Sequence, residues 1–177
     1  MASERILTFA KGTQNIGSQQ YNTGGSAFID NEKVVMIYID TAGAGVKARV
    51  GTVSGNTITF GTEVNVVYPS YQTQARVCKV ATDKFAVFYQ GSSYDLKVKI
   101  CTVSGTTITV GSEAAVASTY GNRFWACYIS DDKIVVGYTD GTTNNYNAVK
   151  CATVSGTTPT FGSAVQISES GKDVKGV

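Results

Sequence analysis

The sequence predicts an all-β chain built from three copies of one four-stranded unit, and three observations carry that prediction. The block Thr52-Val53-Ser54-Gly55 returns at Thr102 and again at Thr153, at spacings of 50 and 51 residues, and self-similarity at such a period marks a repeat architecture. The 177 residues include 19 Gly, only 2 Pro and 10 Tyr, with an excess of Thr and Val, a composition that favours strands and tight turns over helices. Finally, Val34-Val35-Met36-Ile37-Tyr38 and its copies from Phe85 and Ile134 are apolar at consecutive positions, which calls for strands buried on both faces.

The elements follow in order. Residues 1–25 read as an N-terminal arm and loop. Ile6-Leu7-Thr8-Phe9, followed by Lys11-Gly12, resembles the fourth strand of a repeat, and residues 12–25 carry no charge. A repeat domain covers 26–168, with copies at about 26–67, 73–116 and 122–167. The first strand of each copy is short and apolar: Ser26 to Ile29, Ala75 to Val80, Phe124 to Ile129. Asp30-Asn31, Thr82-Asp83 and Ser130-Asp131-Asp132 then turn the chain, because short polar side chains bond their own backbone. The second strand begins at Val34, Phe85 or Ile134 and ends near Tyr38, Tyr89 or Tyr138. Cys78 and Cys127 each stand six residues before the Lys that opens this strand, which supports the alignment. The third strand alternates better: Leu96, Val98 and Ile100 face one way and Lys97 and Lys99 the other, predicting one wet face. Ser-Gly-Asn or Ser-Gly-Thr closes a hairpin into Thr57 to Phe60 and its equivalents. That last strand alternates Thr with Ile, as suits a half-exposed edge. A polar tail covers 169–177.

Four strands per unit, with an apolar inner strand and a more polar outer one, is the profile of a β-propeller blade; a β-trefoil is the alternative with three four-stranded repeats. Stacked blades demand the two-sided burial seen in the second strand, so the propeller reading leads. Three blades cannot close a ring. Two chains supply six, so a homo-oligomer, with a dimer favoured, is the predicted completion.

Composition excludes several functions. The formal charge of +2 is too balanced for a surface that neutralises a run of phosphates, so no nucleic acid partner is expected. Zero His removes Ser-His and Cys-His catalysis and mixed Cys/His zinc sites. Cys78, Cys101, Cys127 and Cys151 form no Cys-x-x-Cys pair and read as buried free thiols. The start has no secretory signal pattern and no apolar run approaches the roughly 20 residues of a membrane span. No cofactor or metal is expected, and no phosphate-cradling glycine loop occurs. Asp131-Asp132 lies in a hairpin turn where neighbouring carboxylates point apart, so no acid/base couple is expected there either.

The candidate contact residues lie at the loop ends of the third copy. Tyr120, Asn122, Arg123 and the sole tryptophan, Trp125, form one cluster; Asp140, Asn144, Asn145 and Tyr146, with Asn147, form another. Amides beside aromatic faces suit carbohydrate, and Trp, Tyr and Arg equally dominate protein interfaces. Tyr38, Tyr89 and Tyr138 read either as packing groups with satisfied hydroxyls or as sugar platforms. Asp40 and Asp140 read as turn formers or as ligands for calcium or a sugar hydroxyl.

The blocks Asp132-Lys-Ile-Val-Val-Gly-Tyr-Thr-Asp-Gly and Thr153-Val-Ser-Gly-Thr-Thr-Pro-Thr-Phe-Gly resemble repeats in propeller-like proteins of tailed phages and marine bacteria, over about Ser26 to Ile167. The second copy departs from the pattern, with Tyr89-Gln90-Gly91 in place of Tyr138-Thr139-Asp140-Gly141. The resemblance implies a non-enzymatic virion structural protein, a capsid decoration or tail appendage, made in the host cytoplasm. Its implied partners are itself, other virion proteins and host surface glycans. A soluble oligomeric lectin is the alternative.

Overall fold

A computed structural model of the chain describes residues 24–40, 45–68, 74–91, 93–118, 123–141 and 146–168. The predicted N-terminal edge strand, Tyr120, Asn122, Asn144, Asn145 and the C-terminal tail lie outside them.

The described residues form three antiparallel sheets, one per repeat. The first runs in the order β1 (Gly25–Phe28), β2 (Lys33–Asp40), β3 (Gly45–Ser54) and β4 (Thr57–Phe60), with β5 (Val64–Val67) also paired to β3. The second is β6 (Ala75–Ala81), β7 (Lys84–Gln90), β8 (Leu96–Ser104) and β9 (Thr107–Ala117). The third is β10 (Phe124–Ser130), β11 (Lys133–Asp140), β12 (Tyr146–Ser155) and β13 (Thr158–Phe161), with β14 (Val165–Gln166) back on β12. Each repeat thus makes its own sheet, rather than lending hairpins to a shared barrel as a trefoil would. The described strands close neither a barrel nor a ring.

Four strands per copy proves too few for two of the sheets. In the first and third, the chain leaves the ladder after β4 and β13 and rejoins as β5 and β14; in the second, β9 stays paired through both stretches with register shifts. The β3–β4 hairpin and its copies turn on Gly55, Gly105 and Gly156 at φ 57, 61 and 59, the left-handed region that glycine enters without steric cost.

Successive sheets pack head to tail. Val35, Ile37, Ala48 and Val50 of the first sheet meet Phe85, Val87, Tyr89 and Cys101 of the second. Ala86, Phe88, Val98 and Ile100, from the other side of that second sheet, meet Ile134, Val136, Tyr138 and Ala152 of the third. Each sheet therefore has a rear face toward its predecessor and a forward face toward its successor. Among the described residues, only the middle sheet is covered on both. Phe85 and Phe88, three residues apart on β7 and on its opposite faces, are both fully buried, and full burial of a side chain of this size contributes roughly 1.5–3 kcal/mol.

This packing corrects the expected wet face of β8. Lys97 and Lys99 lie on the rear face, against the first sheet, and the Lys99 ammonium donates to the main-chain carbonyl of Val66 at 2.9 Å. Lys150 repeats the contact one sheet on, donating to the Val116 carbonyl at 2.6 Å. The alternation holds, but its charged side faces the neighbouring sheet, and Lys99 spans the joint.

The cysteines are free, and only half of them are buried. Cys78 and Cys101 lie inside, whereas Cys127 and Cys151 are exposed. Cys127 pairs with Val135, which pairs with Cys151. All three lie on the forward face of the third sheet, where no fourth sheet follows among the described residues. Among the described residues no helix is long and apolar enough to cross a membrane.

Candidate functional site

The forward face of the third sheet is the most distinctive surface. Trp125 on β10 stands opposite Gly137 on β11, and a Cβ on Gly137 would collide with the indole ring. The positions equivalent to Gly137 are Ile37 and Phe88, whose cross-strand partners are Gly25 and Arg76. In the third repeat the bulk has moved to the neighbouring strand, so one large side chain still fills the centre of the face. The half-buried indole is surrounded by Arg123, Asn147 and Ile167, which with Trp125, Tyr138 and Ala148 line a shallow cleft that holds no room for a water molecule. Val165 is 62% exposed and Ile167 49%, so the apolar surface continues outward from the cleft.

Polar groups fix the loop end of this face. Thr139 N donates to the Arg123 carbonyl at 3.0 Å, and Thr139 Oγ1 donates to Asn147 Oδ1 at 3.0 Å. Asn147 is buried, and its main-chain N and its Nδ2 both donate to Ser168 Oγ, at 3.1 and 2.9 Å. The amide predicted as a sugar contact is thus occupied in tying β12 to the chain beyond β14.

The described candidates divide between the two sides of the sheet. Arg123 and Trp125 belong to the forward face. Asp140 and Tyr146 are cross-strand partners in phase with Tyr138, on the rear side, and the Tyr146 hydroxyl donates to Asp140 Oδ2 at 3.3 Å. Tyr146 also packs against the core between the second and third sheets. The two clusters share one end of the sheet but form no single surface among the described residues.

Two of the three repeated tyrosines are buried packing groups, and Tyr38 is half-buried. Tyr89 and Tyr138 are buried, which removes them as sugar platforms. The Tyr38 hydroxyl donates to Glu63 and the Tyr89 hydroxyl to Glu113. Lys47 bridges Asp40 and Glu63, both at 2.8 Å, and Lys97 bridges Glu113 at 2.6 Å and Asp95 at 3.5 Å. Asp40 is therefore an ion-pair partner of Lys47. Burial and the Glu63 hydrogen bond push the Tyr38 phenol up to about 12. Hydrogen bonds from Lys47 and Tyr38 hold the Glu63 carboxyl below its ordinary value. For Glu113, burial pulls upward, but bonds from Lys97 and Tyr89 outweigh it and leave the carboxyl lowered.

Sequence reasoning missed these glutamates. Their signal is positional: Glu63 and Glu113 each stand two residues beyond the glycine that ends the repeat motif, Gly61 and Gly111, whereas the third copy has Ala164 there. Ala148 likewise replaces the lysine in the third copy, so the network occurs twice and not three times. Arg49, Lys99 and Lys150 form another unremarked series, each paired in register with the central residue of its second strand, Met36, Val87 or Val136.

Burial raises the Cys78 and Cys101 thiols to about 12, so neither is a nucleophile near neutral pH. Among the described residues no group of three or more His, Cys, Asp or Glu side chains is placed to hold a metal ion. The chain matches no protein-family model and no curated protein.

Proposed function

We propose that this chain is a non-enzymatic structural protein of a phage particle, a capsid decoration or tail-associated appendage that works by associating with copies of itself and with other virion proteins. One observation supports the reading above others: a head-to-tail stack of three sheets whose apolar forward face no described residue covers. Trp125, Val165 and Ile167 on that face are what a contact surface needs, a large aromatic ringed by aliphatic groups with arginine beside it. Propeller-like closure between chains is the form of self-association that the head-to-tail order favours, since a heterologous interface either closes a ring or extends. The chain would fold in the host cytoplasm and act on the particle.

The test is location. Antibody raised against the chain should label virions released from the source culture in many copies each, seen by electron microscopy; particles free of label would overturn the proposal. The lectin alternative draws on Asp140 and Tyr146, a carboxylate and a phenol meeting at the loop end of the third sheet. It requires saturable binding on a glycan array that Asp140→Asn abolishes.

A further inference from the structure

We propose that the forward face of the third sheet is the docking site for the rear face of the first sheet of a second copy, with Arg49 of that copy bonded to the main-chain carbonyl of Ile167. This rests on the reading of the chain as self-associating, and adds which surfaces meet and which residues hold them.

The chain makes this kind of joint twice within itself, and the same positions serve both times. Lys99 on the rear face of the second sheet reaches back to the Val66 carbonyl at 2.9 Å, and Lys150 on the rear face of the third reaches back to the Val116 carbonyl at 2.6 Å. By register, Lys47 stands opposite Asn65, Lys97 opposite Ala115 and Ala148 opposite Gln166. The residue after each of those partners is Val66, Val116 or Ile167. Val66 and Val116 are 1% and 3% exposed, and Ile167 is 49% exposed. The third acceptor position thus lacks its covering sheet. Arg49 is the cationic counterpart of Lys99 and Lys150, on a rear face that none of the described sheets covers. Its guanidinium pairs with Glu63 at 3.6 Å and stays partly exposed.

A second series runs the same way. A Cβ on Gly61 would come within 2.6 Å of the Thr106 side chain, and one on Gly111 within 2.9 Å of Thr157, so each glycine admits the hairpin turn of the next sheet. Gly162, the third in the series, would meet only a Cys151 carbonyl at 3.7 Å. The residue equivalent to Thr106 and Thr157 in the first repeat is Asn56, which a second copy would bring to this place. Cys127 and Cys151 complete the picture. Both are exposed, while the residues at their positions in the second sheet, Cys78 and Ile100, are buried under the third. The complementary surfaces differ from each other, so two chains joined both ways close on themselves.

Light scattering and thiol labelling test the proposal on the full chain. The wild type should have twice the 18.7 kDa chain mass, with Cys127 and Cys151 slow to react with a maleimide. Arg49→Glu and Ile167→Asp should each weaken association about 30-fold or more and expose both thiols, while keeping the wild-type circular dichroism and cooperative melt. Arg49→Lys, the residue found at both internal joints, should retain the assembly. Mixing the two disrupted variants should recover a two-chain species, because each keeps the surface the other lacks. Self-association that ignores Arg49→Glu would overturn this geometry and leave the self-associating scaffold standing. A wild type that stays monomeric would overturn both; if Cys127 and Cys151 are nonetheless protected, the cover belongs to the chain's own residues.

Discussion

The indole of Trp125 lies over Gly137 on the adjacent strand, in the space that Ile37 and Phe88 fill from the other side of the same strand pair. In the first and third repeats a glycine stands opposite the large residue, Gly25 opposite Ile37 and Gly137 opposite Trp125, and in the third the indole occupies the space over the glycine. Gly137→Ala should therefore destabilise the chain by about 1–3 kcal/mol through overpacking and shift the emission of its single tryptophan. Pairing it with Trp125→Ala should remove the clash, giving strongly non-additive losses in urea titrations.

Lys150→Met tests the clamp between sheets. The substitution keeps the apolar stem and removes the charge, leaving the Val116 carbonyl without this donor inside a buried joint. A loss of about 1–3 kcal/mol in equilibrium unfolding is expected. Lys99→Met, acting on Val66, should cost a similar amount.

Stability should fall in acid because of Glu63 and Glu113. Both carboxyls are lowered on folding, so they contribute stability above the ordinary value of 4.5, and that contribution disappears as pH falls through their folded values. Tyr38 works in the opposite sense: raised from 10.0 to about 12, it contributes below pH 10.0 and is lost as pH rises through 12. Thermal melts across pH should show both limbs, with the acid limb flattened in a Glu63→Gln, Glu113→Gln double variant.

Cys78 and Cys101 should resist alkylation well past pH 9.0, the ordinary midpoint for a thiol, since burial raises both to about 12. In a Cys127→Ser, Cys151→Ser background, both remaining thiols should react only after denaturant is added. Modification of either in the native state at pH 9 would contradict the packing described.

Strand identity and order were legible because the repeat pins them: the fourth strand, Thr57–Phe60, falls where the Thr-Ile-Thr-Phe alternation puts it. The returning strands β5 and β14 were not, since Val64-Asn65-Val66-Val67 is short, lies outside the Thr-Val-Ser-Gly motif and pairs back to β3 with a register shift. Sequence also misplaced the environment of Lys97 and Lys99. Alternation tells which residues share a face, but not whether that face meets water or another sheet. For the candidate site, the sequence separates the Arg123 and Trp125 cluster from the Asp140 and Tyr146 cluster without assigning either a face; strand parity puts them on opposite sides of the third sheet.

Head-to-tail stacking makes the length of this protein a modular quantity. Each sheet touches its neighbours in the stack, so a further repeat added at an end would leave both existing joints as they are. Stability in such a chain accrues joint by joint rather than from one shared core, and unfolding should begin at an end sheet, which has one neighbour where the middle sheet has two. Evolution by tandem duplication would then need few compensating changes, because the copying of about fifty residues delivers a complete new building block with both of its mating faces.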